Sequence, residues 1–155
     1  MALRVDNIGK IHASVGIEGI DGVVVAVANI LERHLTEIIG EKRVKNGYLS
    51  RFNDSMFMLI IPNMRQQDLT ALGQKLVADI NSTIIEIGHR TVKTTVTIGA
   101  TLVNASAPDT NSIINRVIQA VGMAAKANKE SNDDKDSFYL YDPSSFASSD
   151  DSALY

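Results

Sequence analysis

The candidate metal ligands of this sequence are carboxylates and histidines, because the chain contains no cysteine. Thiolate zinc sites, disulfides and cysteine nucleophiles are therefore excluded. The histidines, His12, His34 and His89, are not spaced as metal ligands, and His34 is expected at the boundary of the core. Asp6 and Asp54 could together hold a divalent metal ion, since such ions prefer carboxylate oxygens. Two separate solvated carboxylates are the alternative interpretation.

The stretch that contains Asp54 is predicted to fold as a β-hairpin over residues 48–62. A first strand would lead into a two-residue turn formed by Asn53 and Asp54, because Asn and Asp tolerate left-handed backbone angles. The second strand, residues 56–61, is apolar throughout, so we expect it to be covered on both faces, with Phe57 buried. Pro62 ends it.

Apolar periodicity and turn residues predict the other elements. In chain order, these are a strand over residues 2–6, a short helix over 7–15, a break at 16–19, a long helix over 20–39, the hairpin, a second long helix after residue 67, a strand run over 91–103, a helix over 112–129 and a strand over 138–141. The pattern predicts an α/β (α+β) fold, with a mixed central β-sheet flanked by helices. We expect one domain over residues 1–142 and, over residues 143–155, a linker or tail that leads to a further domain.

Some local details remain open at this level. Residues 83–87 fit either the end of the second long helix or a strand, and Asp109 or Thr110 could cap the last helix. The apolar residues expected to share the buried face of the second long helix are Leu69, Leu72, Leu76, Ile80 and Ile84.

The bulk properties describe an ordinary globular domain. The hydrophobic fraction is 45% and the charged fraction is 21%. The net charge of −3 and a pI near 5.5 argue against nucleic acid as a partner, since no basic stripe supplies phosphate contacts. Neither a long apolar run nor a signal-peptide pattern occurs in the sequence, so we expect no membrane span and a cytoplasmic location.

The hairpin resembles the signature hairpin of the GGDEF (diguanylate cyclase) family, in which Gly-Gly-Asp/Glu-Glu-Phe stands between an Arg-x pair and an apolar strand ending in proline. The hairpin residues that carry the resemblance are Arg51-Phe52-Asn53-Asp54-Ser55-Met56-Phe57 and Ile60-Ile61-Pro62. Matches elsewhere are Asp6, Gly16, Asp21, Val96-Thr97-Ile98-Gly99, residues 120–126 and Phe138-Tyr139-Leu140-Tyr141-Asp142-Pro143. The resemblance extends over residues 2–142 and implies the GGDEF fold.

The resemblance also implies that the catalytic groups have been lost. A cyclase of this family condenses two GTP molecules by phosphoryl transfer and needs metal ions held by carboxylates. The two metal-ligand positions are occupied here by Arg4 and Ser55. Asn53 and Asp54 replace the glycines that let backbone amides approach a phosphate, and Met56 replaces an acid. Of the five signature positions, only Phe57 agrees with the family, so the resemblance implies no catalytic residue, metal ion or cofactor.

Three further positions could retain some nucleotide binding. In the family, an Asn on the first helix and an Asp recognise guanine, and the matching positions are His12 and Asp21. Lys126 lies at or next to the position of a phosphate-binding lysine. The structural alternatives are that Asp21 interacts with a helix N-terminus and that Lys126 is a solvated helix residue.

These implications favour a catalytically inactive GGDEF domain, retained as a regulatory or structural module in cyclic di-GMP signalling. The hairpin is most similar to that of FimX-like tandem GGDEF–EAL proteins, which are linked to type IV pili and twitching motility. The expected partners are neighbouring domains, above all an EAL domain, another protein or a second copy of the chain. The alternatives are a GTP-binding sensor that regulates an adjacent EAL domain and a weak diguanylate cyclase.

Overall fold

The computed structural model of the chain describes residues 1–6, 8–40, 48–53, 55–61, 64–103, 109–131 and 137–141. Its elements in chain order are β1 (Ala2–Val5), α1 (Ile8–Gly40), β2 (Tyr48–Asn53), β3 (Met56–Ile60), α2 (Gln66–Ser82), β4 (Ile84–Ile87), β5 (Arg90–Lys93), β6 (Val96–Ala100), α3 (Thr110–Ser131) and β7 (Phe138–Leu140). The predicted class is confirmed, because these elements form a mixed sheet with helices on both faces.

Among the described residues, the main sheet has five strands in the order β2-β3-β1-β6-β7. Of these five, only β7 is parallel to its neighbour; β2, β3, β1 and β6 pair antiparallel in turn. A separate hairpin of β4 and β5 forms a two-stranded sheet. Strand β3 is paired on both sides, as its continuous apolar sequence predicts, and β2 is an edge strand of the described sheet.

The two faces of the main sheet are covered differently. Leu3 and Val5 of β1 join the main core with residues of α1 and α2. Ala2, which points to the other face, packs with Val117 and Val121 of α3. The strands therefore bury apolar side chains on both faces, which explains why alternation of polar and apolar residues is absent from them.

Helix α1 contains the predicted break, which the structure confines to Gly16. Its φ of +76° lies in the left-handed region that favours glycine, and no heavy atom lies within 4 Å of the position a Cβ would take. The kink divides α1 into the predicted short segment and the predicted long helix.

The prediction that Ile84 continues the buried face of the second long helix is wrong. Residue 84 begins β4, and its side chain is 59% exposed. The helix ends first because Thr83 turns into extended backbone, and its hydroxyl donates to the carbonyl oxygen of Asp79 over 2.7 Å. The other four residues of that face, Leu69, Leu72, Leu76 and Ile80, are buried.

The predicted strand run over residues 91–103 is also wrong as a single strand. It divides into β5 and β6, which belong to different sheets. Between them, Thr94 and Thr95 carry the chain from the small hairpin into the main sheet. The last helix begins at Thr110, two residues before its predicted start. Asp109, one of the two predicted caps, caps it, since Asp109 Oδ1 accepts a hydrogen bond from the Ser112 amide over 2.9 Å. Residues 142–155 lie outside the described residues, so the domain boundary remains a prediction.

Candidate functional site

The end of β1 meets the signature turn and the start of β6 at one end of the main sheet. Because β1 is antiparallel to β3 and β6, its last residues lie beside the first residues of those strands. The Val5 amide donates to the carbonyl oxygen of Ser55 over 2.7 Å, and the Asp6 amide donates to that of Thr95 over 2.9 Å. The fold therefore brings Arg4 and Ser55, the two predicted lost metal-ligand positions, close together.

Asp6 is the centre of a polar cluster at this end of the sheet. Its Oδ1 accepts a hydrogen bond from Thr97 Oγ1 at 2.9 Å and lies 3.3 Å from Nε and Nη2 of Arg4. Its Oδ2 lies 3.0 Å from Oγ1 of Thr95 and 3.0 Å from Oγ1 of Thr97. A guanidinium and two hydroxyls thus occupy both carboxylate oxygens. We call Arg4, Asp6, Thr95 and Thr97 the Asp6 cluster.

The residues at this end of the sheet do not fit a divalent metal ion. At an effective dielectric of about 20 and a separation of about 4 Å, a doubly charged ion and the Arg4 guanidinium would repel each other by at most about 8 kcal/mol. The Ser55 hydroxyl is directed elsewhere, because it donates to Asn53 Oδ1 over 3.4 Å. Among the described residues, no group of three or more His, Cys, Asp or Glu side chains could hold a metal. Asp54 lies outside the described residues, so its pairing with Asp6 remains a prediction.

The signature turn is displaced by one residue from its predicted place. Strand β2 ends at Asn53 and β3 begins at Met56, so the two connecting residues are 54 and 55 rather than 53 and 54. Asn53 instead initiates the turn, since its Oδ1 accepts a hydrogen bond from the Ser55 amide at 3.0 Å. Side chains of Asn commonly stabilise turns in this way. A register shift between Arg51 and Asn53 marks a local bulge.

The two residues after the turn are part of the core. Met56 is 9% exposed and packs with Ala2, Val117 and Val121 under α3. Phe57 is 4% exposed and belongs to the main core on the opposite face, so its predicted burial is confirmed. The position at which the resemblance implies an acid is therefore filled by an apolar side chain that supports the contact between sheet and helix.

Comparison with known proteins identifies the family. The sequence model of the family described as "Diguanylate cyclase, GGDEF domain" matches residues 1–135. The chain belongs to the GGDEF family. A search of curated protein sequences gave no match.

Solved GGDEF domains share the fold at low sequence identity. The FimX GGDEF domain from Pseudomonas aeruginosa has 18% identity and a TM-score of 0.69, and the match covers 81% of this chain and 72% of that chain. The diguanylate cyclase SiaD of Pseudomonas aeruginosa, solved with its activator SiaC, has 18% identity and a TM-score of 0.67. The match covers 84% of this chain and 45% of SiaD. An EAL/GGDEF domain protein from M. capsulatus has 19% identity and a TM-score of 0.61. The match covers 92% of this chain and 83% of that protein chain.

The three possible nucleotide-binding positions of this GGDEF domain are exposed and lie on two elements, α1 and α3. His12 and Asp21 are on α1, on either side of the kink at Gly16, and both are exposed. Lys126 is an exposed residue of α3, the helix that covers the opposite face of the sheet. The structure thus places one of the three on a different face of the molecule from the other two.

A buried polar contact between α1 and α2 was not predicted. His34 is 5% exposed rather than a boundary residue, and its Nε2 lies 2.7 Å from Asp79 Oδ2. An ionised carboxylate can only accept, so Nε2 carries the hydrogen. Arg33 Nη2 lies 2.7 Å from the same oxygen. The hydrogen bond from His34, followed by the interaction with Arg33, holds the pKa of Asp79 below its usual value.

An apolar groove of about 640 Å³ lies on the α3 face of the sheet. Its walls come from the β2–β3 hairpin, the residues after β6 and the first turns of α3, and its exposed apolar side chains include Phe52, Ile60 and Val103. Met1 and Thr101 line it, so it extends to the end of the sheet opposite the Asp6 cluster. Within the described residues, no helix is both long enough and apolar enough to cross a membrane.

Proposed function

We propose that this GGDEF domain is catalytically inactive and serves as a regulatory or structural module in cyclic di-GMP signalling. The observation that carries the proposal is the Asp6 cluster. At the end of β1, where the family resemblance implies metal-binding chemistry, the Asp6 carboxylate is occupied by Arg4, Thr95 and Thr97. Phosphoryl transfer depends on metal ions that neutralise the triphosphate. Within the described residues, no group of three or more His, Cys, Asp or Glu side chains could hold such an ion.

The turn supports the same proposal. Met56 has no proton to exchange and is buried under α3, so it cannot assist activation of a hydroxyl. The Asn53 side chain is used to stabilise the turn through its bond to the Ser55 amide. In an active family member, a glycine at that position would instead leave room for a phosphate.

A regulatory module needs a contact surface, and the apolar groove is a suitable one. Phe52 is 45% exposed, Ile60 is 61% exposed and Val103 is 58% exposed. Exposed apolar patches of this kind mark interaction sites more often than chance placement does. We propose a neighbouring domain as the partner, above all an EAL domain, with another protein or a second copy as the alternatives.

The biological setting follows from the relatives and is part of the proposal. One structural relative is described as an EAL/GGDEF domain protein, and another as a cyclase in complex with an activator. The likeness of the hairpin to FimX-like proteins extends the proposal to type IV pili and twitching motility, in the cytoplasm.

The second candidate function is a GTP sensor that retains binding without turnover. Its support is that His12 and Asp21 are both exposed on α1 near the kink. A weak cyclase is the third candidate, and the Asp6 cluster argues against it.

Calorimetry with GTP separates the inactive module from the sensor. Titration of the chain with GTP and MgCl₂ at millimolar nucleotide should give no saturable heat, because Arg4 and Ser55 occupy the two metal-ligand positions that the resemblance implies. Saturable binding that disappears in Asp21→Asn would contradict the proposal and establish the sensor. The matched control is Asp68→Asn, which changes an aspartate on α2 instead of α1. It should leave any binding unchanged.

A further inference from the structure

Arg4 is the positive charge nearest the Asp6 carboxylate among the described contacts. Its Nη2 and Nε both lie 3.3 Å from Oδ1, and the two residues are next-but-one neighbours at the end of β1. The side chain of Asp6 is 19% exposed and that of Arg4 is 38% exposed. The pair is therefore partly shielded from water, so the attraction between its charges is less screened than that of a fully exposed ion pair.

We propose that Arg4 is a built-in cation that takes the place of a divalent metal at Asp6. In this arrangement the guanidinium of Arg4 blocks metal ions from the Asp6 carboxylate and balances its negative charge. The inference deepens the proposed function, because both rest on the Asp6 cluster. A domain closed in this way could still be a regulator or a sensor.

The bonding capacity of the carboxylate supports this assignment. A carboxylate offers about four lone-pair sites. The guanidinium engages Oδ1 and the Thr95 hydroxyl engages Oδ2, while the single hydroxyl of Thr97 lies 2.9 Å from Oδ1 and 3.0 Å from Oδ2. A magnesium ion requires oxygen ligands at about 2.0 to 2.1 Å in near-octahedral geometry. It could reach Oδ1 only by displacing the guanidinium, and arginine stays protonated at every physiological pH.

The threonines also suggest what the site would do without Arg4. Thr95 precedes β6 and Thr97 lies within it, so their hydroxyls fix the Asp6 carboxylate from a neighbouring strand. They would hold it in place after the guanidinium was removed. The remaining negative charge would then be available to a cation from solution. Loss of the Arg4 charge should therefore open a latent cation site.

The test compares thermal unfolding of the unaltered chain and Arg4→Gln in MgCl₂ and in KCl of equal ionic strength. The unaltered chain should unfold at the same temperature in both salts. Arg4→Gln should unfold about 2 to 4 °C higher in MgCl₂ than in KCl, the size of a modest ligand effect for a domain of this length. Arg4→Lys keeps the charge and should respond like the unaltered chain. The double variant Arg4→Gln/Asp6→Asn should lose the response.

The same comparison can overturn the proposal. If the unaltered chain is stabilised by MgCl₂ and Asp6→Asn abolishes that effect, Arg4 does not close the site. If Arg4→Gln folds and responds no more than Arg4→Lys, the guanidinium is not a substitute for a metal.

A second measurement needs no variant and so does not depend on the folding of Arg4→Gln. Amide spectra of the unaltered, isotope-labelled chain are recorded during titration with MnCl₂, which broadens signals near a bound ion. The proposal predicts no selective broadening at Asp6, Ser55 and Thr97. Saturable broadening confined to those amides would overturn it. Neither result depends on whether GTP binds, so this test and that of the proposed function can fail separately.

Discussion

Met56 shows at the scale of a single residue how a signature position can belong to the core. Its side chain is 9% exposed and packs against Ala2, Val117 and Val121. A carboxylate at that position would lose its hydration beneath α3. Arg4 lies opposite on β1 but is already bonded to Asp6. Met56 is therefore a core residue, and an acid in its place would disturb the packing of sheet and helix.

Met56→Glu should therefore lower the free energy of unfolding by about 1 to 3 kcal/mol, the cost of burying an incompletely paired polar group. The neighbouring Ser55→Asp is the matched control. Ser55 is a half-buried turn residue, so that substitution should change stability by less than about 0.5 kcal/mol. Urea denaturation at pH 7 measures both variants. Equal stabilities would show that residue 56 is accessible to water, contrary to its position in the core.

The sequence could predict only part of the site at this scale. The resemblance drew attention to Arg4 and Ser55, and the two are in fact neighbours across β1 and β3. Thr97 was matched only as part of a strand that resembles the family's, and Thr95 carried no signal. Neither was predicted to contact Asp6, because threonine in a β-branched run is also an ordinary strand residue. Their role depends on the register of β1 and β6, which local sequence does not determine.

At the scale of elements, periodicity predicted helices better than it predicted boundaries and sheet membership. The predicted buried face of α2 was correct up to Ile80. The helical spacing of Ile84 could not reveal that Thr83 ends the helix before it. The strand run over residues 91–103 is divided between two sheets by tertiary contacts. Gly99 also has a role that depends on tertiary structure: a Cβ there would meet the backbone nitrogen of Val121, so α3 approaches β6 closely at this glycine.

The contact between α1 and α2 gives a prediction at this scale. Asp79→Asn should destabilise the chain at pH 7 by about 1 to 3 kcal/mol, because the buried Nε2–H of His34 loses a charged acceptor. Asp68→Asn is the control. Asp68 also lies on α2, but it pairs with the exposed Arg65, so its effect should be smaller.

The pH dependence of the Asp79→Asn effect checks its cause. The pKa of Asp79 is lowered in the folded chain, so its stabilising contribution is fully present above the unfolded pKa of about 4. That contribution disappears as the pH falls through the lower folded value. The stability difference between the unaltered chain and Asp79→Asn should therefore shrink below pH 4. A difference that stays constant down to pH 2 would mean that the carboxylate charge is not responsible.

At the scale of the whole molecule, this chain shares the fold of the FimX GGDEF domain and of the matched part of SiaD, which is described as a diguanylate cyclase. The sequence predicted this architecture, because the mixed sheet depends on long apolar segments that tolerate substitution. The fold alone therefore cannot support the proposal of inactivity. That proposal rests on a small group of residues at one end of the sheet, where Arg4 bonds to Asp6.

The central claim is that this end of the sheet cannot support cyclisation of GTP, and product analysis tests it most directly. The purified chain is incubated for many hours at high protein concentration with GTP and MgCl₂, and cyclic di-GMP is quantified by chromatography and mass spectrometry. An active cyclase serves as the positive control. The account predicts no product above a protein-free blank. Cyclic di-GMP that forms in proportion to the chain and is abolished by Asp6→Asn would contradict it.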